Sequence, residues 1–237
     1  MKCALVDERI SEKCERALAK RGFFVIKLPP AKNLGQAMAS HADMLLFSSG
    51  NTVISSAEYA AENPHIFSDI REFSRNAEMR FSSDIFSPEY PRDRIFNALV
   101  IENDIFIKPE HISDAILEYA KEKEFNIVRV NQGYPACTTL AFGKNAITSD
   151  KGMAKALSDR GIRVTLIENG DIKLPPYEYG FIGGAAGVYK NEIFFFGNIS
   201  HHRDFKKINE AISNAGYTPV SLSDEELSDL GGIIFLD

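Results

Sequence analysis

The sequence predicts an α/β fold, a ring of five ββαβ blades with pseudo-five-fold symmetry that closes by pairing its two terminal strands. Three observations predict it. A hairpin motif occurs four times, as LLFSSGNTVIS, LVIENDIFIK, LAFGKNAITS and GVYKNEIFFF, each an apolar strand, a short polar turn and a second apolar strand. A helix, a stop and a strand alternate with it, in LAKRGFFVIKL, YAKEKEFNIVRV, LSDRGIRVTLI and ISNAGYTPVSL. Finally, the tail GGIIFLD reads as the first strand of a fifth hairpin, whose second strand is found at the other end of the chain, in KCALVD.

The elements follow in order. KCALVD is a strand, and the segment from about Ser11 to Lys20 is a helix that stops at Gly22, where a left-handed residue ends it. The stretch from Ala57 to Phe96 is the least regular. Ile70, Phe73 and Ala77 have helical spacing, but Pro64, Pro88 and Pro91 interrupt their surroundings, so this blade is expected to be elaborated and to cover one mouth of the ring. Ile112, Ile116, Tyr119 and Ala120 mark the next helix, with Glu124 or Phe125 in the stop position. Ser149 or Asp150 caps the helix carrying Met153 and Leu157, which ends at Gly161. Phe205, Ile208 and Ile212 mark the last helix, which ends at Gly216. Asn51, Asn103, Asn145 and Asn191 fall in the hairpin turns, and Asn is expected there because it tolerates positive φ. Phe194, Phe195 and Phe196 put aromatics on both faces of one strand, which is therefore expected to be covered on both sides.

Composition narrows the function classes. The chain has 237 residues, with 27 Lys and Arg against 33 Asp and Glu, a net charge of −6. No basic cluster stands clear of acidic neighbours, so no nucleic-acid partner is expected. Three cysteines without CxxC spacing suit neither a disulfide framework nor a thiolate zinc site. No apolar run is long enough for a signal core or a membrane span, and the reading is a cytoplasmic protein with no membrane partner. Residues 1–237 are expected to form one domain.

A five-fold ββαβ ring of this length, with Tyr90-Pro91-Arg92-Asp93, the strand start NQGYPACTTL, the Gly-rich GFIGGAAGVY and the closing GGIIFLD, resembles the pentein fold of the guanidino-group-modifying enzymes, such as dimethylarginine dimethylaminohydrolase and arginine deiminase. The resemblance implies an acidic pair holding a guanidinium, a His for proton transfer and a terminal Cys nucleophile. The sequence departs at all three places. Ile233, Ile234, Phe235 and Leu236 follow the terminal glycines with no thiol; the strand expected to carry the His reads Gly180-Phe181-Ile182-Gly183-Gly184; and the acidic position falls near Asn131-Gln132. An atypical branch lacking the usual catalytic Cys and His is implied, and a fold does not fix a function.

The preferred reading is therefore a protein that binds a small polar ligand, amino-acid-like or guanidino-like, at the ring centre. Asp93, Asn97, Gln132, Cys137 and the backbone of Gly183 and Gly184 are the expected lining, since each lies at or just before a strand that points inward. The glycines have a packing explanation as well, because small residues let backbones crowd at a ring axis. A second reading is an enzyme acting on an amidine or guanidine, with Cys137 as nucleophile and His201 or His202 as base. A third is a protein-interaction module with an unspecified protein partner. No cofactor is expected: the Gly180–Gly187 run leads into a strand rather than the helix a dinucleotide needs, and no phosphate-binding loop is present. No metal is expected either, since paired histidines with Asp204 before a helix are a weak ligand set.

Overall fold

In the computed structural model, which describes residues 2–237, five three-stranded sheets surround an axis. The first blade joins the ends of the chain. Lys2–Asp7 runs parallel to Phe23–Leu28 and antiparallel to Ile234–Leu236, with Cys3 opposite Leu236 and Leu5 opposite Ile234. The second blade is Leu46–Ser49, Thr52–Ser56 and Glu78–Ser82; the third is Leu99–Ile101, Asp104–Ile107 and Asn126–Arg129. The fourth is Thr139–Phe142, Asn145–Thr148 and Arg163–Leu166, and the fifth Ala186–Tyr189, Glu192–Phe195 and Thr218–Ser221. Each has the same wiring: an antiparallel hairpin, then a helical crossover to a parallel third strand. This is the pentein arrangement that the repeats predict.

Local chemistry explains the helix limits. Ser11 accepts a hydrogen bond from the Cys14 N–H and Asp150 from the Met153 N–H, so both helices begin on a side-chain cap. Gly22, Gly161 and Gly216 stop their helices at positive φ, and in the third blade Glu124 takes that position at φ 56°, which a residue with a Cβ adopts only under strain. The elaborated second blade contains two helices, Ala57–Glu62 and Pro64–Phe73. Pro64 opens the second of these rather than interrupting it, because the first turn of a helix needs no proline N–H.

The hairpin turns differ from the sequence expectation. The positive φ falls on Gly50, Glu102, Gly143 and Lys190, the first central residue of each turn, and not on the asparagines. Asn145 lies outside its turn and opens a strand, paired with Phe142, because the turn there is Gly143-Lys144. Phe194, Phe195 and Phe196 are all buried as expected: Phe194 packs against the first blade and Phe195 against the helix Phe205–Asn214.

The first strand of every hairpin lies nearest the axis, and residues from all five line an axial channel of about 560 Å³. Blades are latched at the rim by helix-end arginines: Arg160 reaches Asp104 at 2.6 Å and Arg21 reaches Glu192 at 2.7 Å. A sixth, two-stranded sheet was not legible in the sequence. Ile172–Lys173 pairs parallel with Leu227–Ser228, and the Asp229 N–H donates to the Lys173 carbonyl at 2.8 Å. This sheet ties the loop after the fourth blade to the tail before the closing strand. No helix among the described residues is long and apolar enough to cross a membrane.

Candidate functional site

At one end of the ring axis the segments that lead into the first strands converge. Five chain stretches meet there: His41 to Asp43, Asp93 to Asn97, Tyr134 to Cys137, Tyr177 to Gly184, and Asp229 to Gly232. Between them is a pocket of about 360 Å³, its wall including His41, Tyr134, Cys137, Tyr177, Tyr179, Phe181 and Asp229.

Cys137 is at the centre of the polar network. Its thiol donates to Asp43 Oδ2 at 2.5 Å, and Asn97 Nδ2 donates both to its sulfur, at 3.3 Å, and to the Asp43 carbonyl, at 3.2 Å. Asn97 Oδ1 accepts the Ala136 N–H at 2.9 Å, so one buried amide joins the entries of the second and fourth blades. Burial, together with the Asp43 charge, pushes the thiol well above its ordinary range. Cys137 therefore rests as a thiol, since it faces carboxyl groups instead of a cation or a protonated His.

Two carboxyl groups are enclosed. Asp229 is 2% exposed; its Oδ2 accepts the Phe181 N–H at 2.9 Å and its Oδ1 the Gly231 N–H at 3.1 Å. Burial, with the nearby Asp43 adding to it, raises its pKa to about 7. Burial likewise raises Asp43 to about 6, and its Oδ1 is buried without a hydrogen-bond partner. His41 is 1% exposed, neither ring nitrogen has a partner, and burial lowers its pKa to about 4. The imidazole is thus neutral, 3.8 Å from Asp229 and 3.9 Å from Asp7. Asp7 is already paired with Arg9 at 2.6 Å.

The glycines are packing elements here. A Cβ on Gly184 would overlap the Asp229 carboxyl, one on Gly180 would overlap Asp229 Cβ, and one on Gly183 would overlap the carbonyls of Ala136 and Cys137. No side chain fits at Gly183, where the resembled enzymes would place their His.

Of the residues expected from sequence, Cys137 alone lines this pocket. Asp93 and Asn97 are buried behind it: Asp93 accepts the Tyr134 hydroxyl at 2.6 Å and Asn97 positions Cys137. Gln132 is elsewhere, donating to Asp150 at 2.6 Å in an outer groove near Lys155 that Tyr134 also borders. Gly183 lines the axial channel and Gly184 is covered by Asp229. His201 is exposed and His202 accepts the Asp204 N–H at 3.0 Å beside Asp171, so neither supplies a base to Cys137. No residue between 57 and 96 lines the pocket; its cover is Met38, His41 and the loop Leu174–Phe181. Among the described residues no cluster of His, Cys, Asp and Glu is placed to hold a metal.

Sequence reasoning missed His41, Asp43, Asp229 and the tyrosines. The signal was available in part. Asp93, Asn97 and Cys137 precede an axial strand in the sequence, and His41-Ala42-Asp43 and Asp229 stand in the same position before the axial strands of the second and first blades.

Solved structures with this arrangement include dimethylarginine dimethylaminohydrolase in an adduct with S-methyl-L-thiocitrulline, 11% identical with a TM-score of 0.57, over 94% of this chain and 92% of that one. A mutant of the Pseudomonas aeruginosa enzyme complexed with citrulline is similar at 11% identity and a TM-score of 0.56, over 94% and 91% of the chains. The C. jejuni agmatine deiminase gives 7% identity and a TM-score of 0.55, over 93% and 87%. At such identities the likeness establishes the fold alone. No curated protein matches this one in sequence. A family model does match, over residues 5–234, and by it the chain belongs to DUF6873, a family of unknown function.

Proposed function

We propose that this protein binds a small organic cation, amino-acid-like or guanidino-like, in the pocket beneath the loop Leu174–Phe181. One observation carries the reading: Asp229 in the pocket wall and Asp43 directly behind Cys137 are enclosed carboxyl groups without a cationic partner. Buried carboxylates are costly unless paired, and here the cost shows as raised pKa values. A bound cation would supply the missing charge. Arg9, the arginine whose charge acts on Asp229, is engaged by Asp7. The ligands in the related structures, citrulline and S-methyl-L-thiocitrulline, support an amino-acid-like size.

The test is calorimetric titration of the purified protein with arginine, agmatine and choline against neutral citrulline. Binding of a cation is expected to release protons and to strengthen between about pH 5.5 and about pH 8, as Asp43 and Asp229 ionise. Asp229→Asn should lower affinity at least tenfold, whereas Cys137→Ser should change it only a few-fold. Citrulline binding as tightly as the cations, or an Asp229→Asn variant with unchanged affinity, would overturn the proposal. In the enzyme reading, Cys137→Ser would instead abolish a turnover seen in the wild type. The resting thiol beside a carboxyl group weighs against that reading.

A further inference from the structure

The walls of the pocket carry more information about the ligand than its charge. Resting on the cation-binding reading, we infer that the recognised group is an N-alkylated ammonium, held by aromatic faces, and not a bare guanidinium held by a carboxylate fork.

A guanidinium presents five N–H donors in one plane and is matched by exposed, bidentate carboxylates. The pocket is poorly made for that. Both Asp229 oxygens already accept backbone N–H groups, and the side chain is almost fully covered. Asp43 Oδ2 is taken by the Cys137 thiol. Tyr134 gives its hydroxyl proton to Asp93. Of the acidic residues in the wall, Glu178 alone is exposed, and it stands in the covering loop. The enclosed carboxyls thus act through space, as net charge behind the wall.

The wall itself is aromatic. Tyr179 and Phe181 stand two residues apart in the covering loop, with ring centroids 6.1 Å apart and planes at 85°. The pair is edge to face, and both rings line the pocket. Tyr134 and Tyr177 add two further rings. Elsewhere the protein covers its rings with its own cations: Lys2 over Phe23, Arg80 over Tyr119 and Arg94 over Tyr90. Among the described residues no Lys or Arg lies over Tyr134, Tyr177, Tyr179 or Phe181, so no cation of the protein's own competes for these rings. Cation–π attraction strengthens where water is excluded, and an alkylated ammonium is cheaper to dehydrate than an N–H cation because it loses no hydrogen bonds to water.

A matched pair of probes tests this: n-butyltrimethylammonium and n-butylguanidinium, which share a tail and a charge, titrated into the full-length protein at about pH 8. The trimethylammonium probe is expected to bind about tenfold tighter or more, and Phe181→Leu to remove most of that difference while Phe181→Tyr retains it. Far-ultraviolet circular dichroism confirms that each variant is folded. If Phe181→Leu fails to fold, Tyr179→Leu serves in its place, with the same loss expected. Equal or tighter binding of the guanidinium probe overturns the inference and leaves the cation-binding reading standing. Binding of neither probe defeats both. Unchanged selectivity in a folded Phe181→Leu or Tyr179→Leu variant also overturns the inference.

Discussion

The two ends of the ring axis are built by different parts of the repeat. The axial channel, about 560 Å³, is lined by the five first strands themselves, including Ser48, Val100, Ala141, Val188 and Phe235. The pocket, about 360 Å³, is lined by segments outside the repeated strands, which differ in length and composition from blade to blade. Asp43 borders the channel and its partner Cys137 the pocket, so one thiol–carboxyl contact separates the two. The regular end needs only small or apolar side chains at alternating positions. The chemistry has collected at the irregular end, where the chain is free to vary without disturbing strand pairing.

The strongest way to break this comparison is to change the packing at each end. Gly184→Ala should cost about 3 kcal/mol, the upper end of overpacking, because its Cβ would collide with Asp229 in a wall with no room to give. Val188→Ala, in the channel wall, removes volume from a partly open surface and should cost less. Urea unfolding of both variants decides it: a larger loss for Val188→Ala would mean that the pocket end is the looser of the two.

A second measurement isolates the titrating groups. Asp43 and Asp229 hold their protons to about 6 and about 7, above the carboxylate range of an unfolded chain, so their contribution is complete below about pH 4 and lost as pH rises through 6 to 7. His41, lowered to about 4, works the other way: stability is lost as pH falls from about 6.5 towards 4. Two carboxyls outweigh one imidazole. The ligand-free protein should lose on the order of 2 kcal/mol between about pH 5 and about pH 8. Asp171 and Glu122, both held at about 2 by arginines, titrate below this window. Asp43→Asn should flatten the decline by roughly half, and a slope unchanged in that variant would show that Asp43 does not titrate there.

The smallest effect lies far from both ends. Glu124 stops a helix at φ 56°, where the first, fourth and fifth blades use glycine. Glu124→Gly should stabilise the fold by up to about 1 kcal/mol in urea unfolding and leave ligand affinity unaltered. A destabilised variant would mean that the Glu124 side chain has contacts that outweigh its backbone strain.

The residues differ in how far they could be read from sequence. Ser11, Asp150, Gly22, Gly161 and Gly216 act through backbone groups within a few residues, so their roles were legible. The hairpin asparagines were legible only as turn markers, since which of two central residues adopts positive φ depends on strand twist and register. Cys137 could be placed at the entry of an axial strand. Its meeting with Asp43, 94 residues earlier in the chain, could not. Gln132 and Tyr134 are two residues apart and both border an outer groove, yet only Tyr134 reaches the pocket as well.

Period and punctuation in the sequence determined the ring: apolar runs, turn residues and helix stops recurring often enough to count the blades, and an unpaired strand at each end to close them. These signals are local, or repeat in step with the chain, so they survive without coordinates. Tertiary structure alone decided the pocket. Closing the ring brings five unrelated blade entries to one point, and the short sheet of Ile172–Lys173 and Leu227–Ser228 holds Asp229 beside the aromatic loop. Burial then sets the chemistry of each group, raising two carboxyls and a thiol and keeping an imidazole neutral, because desolvation depends on everything packed around a group and on nothing that its own neighbours in sequence announce.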